Sequence, residues 1–319
     1  MTTTEVMHLI HCLINLESDV EVISQLIASL IGPQNSFSRE PYWDEQARSI
    51  LAGVLAAVMT YSDPIKRNMT EVCKLLFADD TIYTLATLLD TRKDLPKMTY
   101  QNISSLLQTV EVTRSGILST TQSYLKSFNV SRILKTLDTS SFSLEDFQNG
   151  ISTTIYINIP PAYLKSHAAY VKLIMGTLMH SITTRKTIPV LPPVFVLDEA
   201  SSLGSFDQLS SMIPLGRGFG CITHTLWQDL SQIKKCYPDW ENVINNSPLQ
   251  IFGVGSHLAA RTLSEVIGIH PEIILNLTKD QQILVMEGNI QLCEKLNYLN
   301  DSYFKGKYDQ HPLINRAFP

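Results

Sequence analysis

The chain has 319 residues, 44% of them hydrophobic and 17% charged, with a formal net charge of −5. At ~150 residues per domain this is about two domains, each able to bury a core, and the near-average composition excludes disorder, collagen and coiled coil. Residues 1–50 hold seven acids and two bases, so the rest of the chain sums to zero and no surface-wide basic grip on nucleic acid is expected.

From Thr4 to about Leu137 apolar residues recur at helical spacing. Val6, Leu9, Ile10 and Leu13 start a first helix, Ile23, Leu26, Ile27 and Leu30 continue it, and Gly32-Pro33 stops it. A second helix begins near Trp43, with Asp44 and Glu45 in the first turn, where the helix dipole favours carboxylates. Its buried stripe is Ala47, Ile50, Leu51, Val54, Leu55 and Val58, and Ser62-Asp63-Pro64 ends it. Further helices are predicted over 70–78, 81–90, 100–128 and 130–137, all read as helix-bundle core.

After the polar stretch Asp138–Ser143 the pattern alternates. The β-branched and aromatic run Thr153–Ile159, bounded by Pro160-Pro161, predicts a strand, and a long helical pattern follows from Ala162 to Ile182. Strands are predicted at Val194–Leu197, Cys221–Leu226 and Leu249–Val254, with helices near 205–213, from Asp229 and over 257–267, and a hairpin around Gly288-Asn289. Short, wholly apolar strands alternating with helices predict an α/β fold with a parallel sheet covered on both faces.

Five widely scattered cysteines without a CxxC pair exclude a disulfide scaffold and a zinc ribbon. Met1 is followed by Thr-Thr-Thr-Glu, so no secretory signal is expected. The longest apolar run, Ile50–Met59, falls short of the ~20 residues a membrane helix needs, and a soluble chain is expected. The eight histidines show no HExxH and no paired metal spacing, and there is no GxSxG. His180, His224 and His257 read as structural or surface residues.

Chemistry is expected at the strand ends. Val194-Phe195-Val196-Leu197-Asp198-Glu199 has the form of a Walker B strand. There an aspartate at the carboxyl edge binds Mg²⁺ through water, and the adjacent glutamate orients the attacking water. Apolar strands ending in two acids also occur without that role. Gln228, after the next strand, can hydrogen-bond a γ-phosphate oxygen at the same sheet edge or cap the helix that begins at Asp229. Arg217, in the run Gly216-Arg217-Gly218-Phe219-Gly220, can reach a neighbouring subunit's nucleotide as an arginine finger or lie exposed in a flexible connection. A phosphate cradle GxxxxGK[ST] is not present: the only Gly-Lys is Gly306-Lys307, followed by Tyr308, with Asp301 where the first glycine would stand.

Several segments, in order from about residue 40 to the C-terminus, resemble the coupling proteins of type IV secretion, the TraG/TraD conjugation family. They are Glu40-Pro41-Tyr42-Trp43-Asp44-Glu45-Gln46-Ala47-Arg48, Thr153–Pro160, Phe195–Ala200, Gln228-Asp229-Leu230-Ser231-Gln232-Ile233, and Asn245-Asn246-Ser247 before a strand. The closing run adds Lys295-Leu296-Asn297-Tyr298, Tyr303-Phe304 and Asp309-Gln310-His311-Pro312. Trp227 departs from the aliphatic residue more usual there.

The resemblance implies a hexameric RecA-like ATPase at the cytoplasmic face of the bacterial inner membrane, using ATP and Mg²⁺. Such a motor delivers relaxase–single-stranded DNA complexes or protein substrates to the secretion channel. It further implies that residues 1–148 are an all-helical cargo-recognition domain and 149–319 the later part of the nucleotide-binding domain. Asp198 and Glu199 match the Walker B positions, with Mg²⁺ on Asp198 through water. Gln228 matches the γ-phosphate sensor and Arg217 the trans-acting arginine. Family members carry membrane helices and the P-loop ahead of the helical domain, so the chain is expected to be the C-terminal portion of such a protein, from a truncated, frameshifted or split gene. From this follow poor ATP hydrolysis by the chain alone and an uncovered apolar edge on its sheet. Three readings stay open: a cargo-binding adaptor, a motor whose P-loop is supplied by another chain, and a decayed gene product.

Overall fold

The structure, a computed structural model, describes residues 19–33, 41–138 and 142–308. The expected helix start at Val6–Leu13, Cys12, Glu40 and the run Asp309–Pro312 lie outside the described residues. Packing divides the chain into two compact units, residues 1–227 with 235–238, and residues 228–234 with 239–319.

The first unit begins with α1 (Val20–Ile31), whose N-terminus is capped by Asp19, its carboxylate accepting from Glu21 N at 2.9 Å and Val22 N at 3.3 Å. Next comes α2 (Pro41–Met59), in which every residue from Ile50 to Met59 is buried. A helix covered all round is a core helix. Small residues let its neighbours close in: a Cβ on Gly53 would stand 3.1 Å from Asn102 Cβ, and Thr99 Oγ1 donates to Gly53 O at 2.9 Å. Around it lie α3 (Met69–Leu76), α4 (Thr81–Thr91), α5 (Lys97–Gln108) and α6 (Glu111–Leu125), followed by α7 (Ser131–Leu137) and α8 (Leu144–Gln148). The single helix expected over 100–128 is two, because Thr109 and Val110 are both extended (ψ 153° and 149°). Two β-branched or hydroxyl-bearing residues in succession give up little by leaving a helix.

The apolar core continues past residue 148: α9 (Ala168–Thr183) packs on α1, with Gly176 so close that a Cβ there would lie 2.3 Å from Leu30 Cδ2. The helical pattern expected from Ala162 is a short 3-10 turn, Pro161–Tyr163, with the α-helix starting at Ala168. Two parallel strands complete this unit, β1 (Val194–Leu197) and β2 (Ile222–Thr225), in the register Val194↔Ile222 to Leu197↔Thr225. Between them run a 3-10 helix, Ala200–Leu203, and α10 (Asp207–Leu215). Phe195 and Leu197 are buried in the helical core, and Phe195 meets Phe147 edge to face at 6.4 Å. The opposite face is open: Val194, Val196 and Ile222 are 55%, 64% and 49% exposed.

The strand expected at Thr153–Ile159 is extended but joins no ladder among the described residues. Ile155 and Ile157 turn toward the core while Thr154, Tyr156 and Asn158 face solvent. Alternation defines which side is buried; it does not supply a partner strand.

The second unit holds most of α11 (Leu230–Cys236), then α12 (Trp240–Asn245), α13 (His257–Ile267) and α14 (Pro271–Leu275). Its sheet is antiparallel, in the order β3 (Leu249–Ile251), β4 (Gln281–Met286), β5 (Asn289–Glu294). The expected strand at 249–254 is therefore shorter and pairs with the hairpin rather than with β2. The hairpin turns at Glu287-Gly288, both at positive φ (51° and 79°), which matches the twist of the flanking strands. Ile251, Ala260, Ile274 and Ile283 form a small core of their own.

Candidate functional site

At the carboxyl end of β1 the chain turns sharply. Asp198 and Glu199 are both exposed, and one Asp198 oxygen accepts from Glu199 N at 3.1 Å. Glu199 is left-handed, with φ 51° and ψ 48°. For a residue with a Cβ that conformation costs about 1–2 kcal/mol. The turn is fastened to the neighbouring strand: Leu226 N donates to Leu197 O at 3.0 Å and Ala200 N to Leu226 O at 3.1 Å. Ser202 N then closes on Glu199 O at 2.8 Å, opening the 3-10 helix. Two carboxylates are thus held at the edge of a parallel sheet by backbone bonds on both sides.

The turn carrying Arg217 is built rather than loose. Gly216 N donates to Met212 O at 2.7 Å and Cys221 N to Gly216 O at 2.8 Å, and a Cβ on Gly216 would lie 2.5 Å from Met212 O. Gly220 has φ +59°, with Ile188 Cγ2 2.4 Å from where its Cβ would be. Arg185 reaches across and donates from Nη2 to Phe219 O and to Gly220 O, the latter at 3.2 Å. Its Nε and Nη1 are buried with no hydrogen-bond partner among the described residues, and burial pulls its pKa down. Beneath it burial pushes the Cys221 thiol up to about 11, against the opposing pull of Arg185. Arg217 itself is exposed at the outside of this turn.

The two halves of this constellation lie at opposite ends of the sheet. The acids follow β1, whereas the Arg217 turn precedes β2, and the strands are parallel. One four-residue strand separates them, roughly 13 Å at the usual rise. Within one chain Arg217 therefore does not join Asp198 and Glu199.

Gln228 belongs to the second unit, where it pairs with Gln232: Gln228 N donates to Gln232 Oε1 at 3.0 Å and Gln232 Nε2 to Gln228 Oε1 at 3.1 Å. The helix cap is Asp229, whose Oδ1 accepts from Gln232 N at 3.1 Å and from Ser231 Oγ at 2.5 Å. The Ser231 hydroxyl, chiefly, holds the Asp229 carboxyl below its ordinary pKa, helped by backbone N–H groups. Trp227, in the first unit, donates its indole N–H to Thr225 Oγ1 at 2.9 Å and stands edge-on to Tyr237.

Among the described residues no three His, Cys, Asp or Glu side chains group as a metal site, and the described cysteines are free. The donor set suits a cation held through water by the exposed Asp198 carboxylate. It does not suit a nucleotide on its own, since no Gly-Lys loop cradles a phosphate: Gly306 lies in open space, followed by exposed Lys307. Sequence reasoning missed Arg185, which has no motif and acts on residues 34 and 35 positions away.

The model of the family "Type IV secretory system Conjugative DNA transfer" matches residues 12–270. The type IV secretion system-coupling protein VirD4 of Bartonella henselae is 23% identical over 220 residues, 68% of this chain and 34% of that protein. The conjugal transfer protein TraG of Agrobacterium fabrum is 24% identical over 137 residues, 43% of this chain and 21% of TraG. The chain thus spans 34% and 21% of the length of these two relatives. Among solved structures, the bacterial conjugative coupling protein TrwBdeltaN70 matches with a TM-score of 0.70 at 14% identity, covering 88% of this chain and 70% of that one. TrwB in complex with ADP and Mg²⁺ matches at 0.68 and 14% identity, covering 86% and 68%. This likeness establishes the RecA-like α/β fold. No helix among the described residues is long and apolar enough to cross a membrane.

Proposed function

The chain belongs to the type IV secretory system conjugative DNA transfer family, and from that premise we propose that it is the acid-bearing part of a coupling ATPase whose phosphate cradle lies outside these 319 residues. The observation that carries this reading is the pair Asp198-Glu199 at the carboxyl end of a parallel strand, fastened to the next strand by two backbone bonds. With nucleotide and Mg²⁺ held there, Asp198 would take the cation through water. Mg²⁺ supplies charge neutralisation on the phosphate oxygens. Glu199, next in the chain on a left-handed backbone, orients and polarises a water. Gln228 is the γ-phosphate sensor.

Arg217 acts in trans. Its turn lies at the far end of the strands, so it serves the nucleotide of a neighbouring copy, and copies arranged head to tail close into a ring, a hexamer by family analogy. Residues 1–148 recruit cargo, a relaxase–DNA complex or a secreted protein, on the cytoplasmic side of the inner membrane.

The test is hydrolysis of Mg-ATP by the chain with and without a coupling-protein fragment carrying GxxxxGK[ST]. Turnover is expected only in the mixture, and Glu199→Gln lowers it about 10²–10⁴-fold. Arg217→Ala lowers it about 10³-fold or more. Mixing Glu199→Gln with Arg217→Ala chains restores part of the activity, because an intact arginine then meets an intact acid pair. Turnover by the chain alone that depends on Glu199 would overturn the external cradle. Failure of the two variants to complement would overturn the trans role.

A further inference from the structure

The antiparallel sheet of the second unit has two outer strands, and they differ as edges. β3 is three residues long, which by itself limits pairing, whereas β5 has six. From Asn289 to Glu294, β5 pairs with β4 one for one, without a bulge, and it carries no lysine or proline. A straight edge without such guards is a template for another strand.

The ladder fixes which backbone groups are free. Lys295 N donates to Asp280 O at 2.7 Å, continuing the register that sets Asn289 opposite Met286. Hydrogen-bonded and non-hydrogen-bonded pairs alternate along an antiparallel ladder, so Asn289, Gln291 and Cys293 bond inward to β4. Ile290 and Leu292 then aim their N–H and C=O groups outward, where no strand meets them among the described residues. Glu294 has the same direction, but its carbonyl already accepts from Gln282 Nε2 at 3.3 Å. The side chains tell the same story. Ile290 stands opposite Val285 and Leu292 opposite Ile283, so both lie on the side of the small core. That core stops at this rim: Ile283 is buried, whereas Ile290 and Leu292 are 40% and 59% exposed.

We propose that the outer edge of β5 pairs with a second copy of this chain, the two β5 strands running antiparallel about a two-fold axis at Gln291. Ile290 N–H donates to the carbonyl of the partner's Leu292, whose N–H returns to Ile290 O, and the axis repeats the exchange. Complementarity is what favours a second copy. In this register Ile290 lies against the partner's Leu292 on the core side, so the two small cores become continuous across the seam. Glu294 faces the partner's Gly288, and Glu287 faces the partner's Lys295, so no like charges oppose each other. Sliding by two residues sets Ile290 against the partner's Glu294, or in the other direction Leu292 against the partner's Gly288, and either slip loses the apolar match. A single strand seam falls short of the ~1,200 Å² of a stable interface, so the dimer is weak and concentration-dependent. The inference goes beyond the nucleotide reading and does not depend on it.

The full chain carrying Asn289→Cys, oxidised with glutathione disulfide, tests the pairing. Across the axis position 289 meets the partner's Cys293 in a non-hydrogen-bonded pair, about 4.5 Å between Cα atoms, which a disulfide can span. Within one chain the same positions are four residues apart on a strand, roughly 13 Å, which it cannot. A covalent dimer on non-reducing gels is expected, lost when Cys293→Ser is added. Gln291→Cys combined with Cys293→Ser is expected to cross-link through position 291 alone. Leu292→Lys, which guards the edge with a charge and removes apolar contact, weakens the dimer about tenfold or more in sedimentation equilibrium. Circular dichroism spectra matching the parent chain establish that these surface variants fold. The cross-link is expected to persist when Val196→Ala is added, which separates it from association through the open face of β1. No cross-link in folded Asn289→Cys, one that survives Cys293→Ser or disappears with Val196→Ala, or a dimer indifferent to Leu292→Lys overturns the proposal. None of these measurements uses nucleotide, so its failure is separate from any failure of the hydrolysis reading.

Discussion

The helix α2 and the β1–β2 sheet are both built from unbroken apolar runs, and the fold treats them differently. From Ile50 to Met59 the helix is enclosed on every side by other helices of the same unit. The sheet is enclosed on one: Phe195 and Leu197 enter the core, while Val194, Val196 and Ile222 look outward. In sequence the two runs are equally apolar. The difference is that a bundle can cover a helix with local neighbours, whereas a parallel strand needs cover on both faces and pairing on both edges, all from distant chain. Among the described residues the helix is covered by its own unit, while the two-stranded sheet keeps one apolar face open.

Substitution at matched positions separates the two. Leu55→Ala, in the fully enclosed stretch, is expected to destabilise the chain by about 2–5 kcal/mol in urea titrations. Val196→Ala, a comparable loss of apolar surface on the open face, is expected to cost under about 0.5 kcal/mol. That second variant should instead lower self-association in light scattering, since exposed apolar surface drives association. A large loss of stability at Val196 with no change in association would mean that the face is covered in solution.

A smaller effect is expected at the strand end. Glu199→Gly removes the cost of the left-handed conformation and should raise stability by about 1 kcal/mol while abolishing any hydrolysis that depends on the carboxylate. Unchanged stability would place the strain elsewhere. The smallest effect concerns Lys172 on α9, which burial pulls below the ordinary lysine pKa, against the attraction of Asp207. Its folded pKa is the lower one, so between that value and the unfolded value the unfolded chain binds the extra proton. Stability therefore rises as pH climbs through that alkaline window. Lys172→Met is expected to remove this rise, as pH-dependent thermal melts would show, and a rise that survives would assign it to another group.

Sequence periodicity located most of the helices because a helix is decided by neighbours three and four residues away: the pattern over 81–90 became Thr81–Thr91, and that over 257–267 became His257–Ile267. It located β1 and β2 by composition and their end by Asp198-Glu199. It was silent about pairing. Thr153–Ile159 has the right alternation and no ladder among the described residues, and Leu249–Ile251 joins an antiparallel hairpin, because pairing depends on what else reaches that edge. The site was legible where it follows a strand, and illegible where it depends on Arg185, or on the backbone angle that turns Glu199. Neither a long-range hydrogen bond to a carbonyl nor a left-handed glutamate leaves a trace in composition.

The parallel register of β1 and β2 has a further consequence, in stoichiometry. With carboxylates at one end of the strands and the Arg217 guanidinium at the other, the unit has a polarity, as a magnet does. Two copies related by a two-fold axis present like ends to like and complete either no acid–arginine pair or two at once. Copies joined head to tail complete one fewer pair than there are copies, until closure supplies the last. On the trans role proposed for Arg217, counting acid–arginine pairs against subunits in an assembly would therefore reveal whether it is open or closed, without an image of its shape.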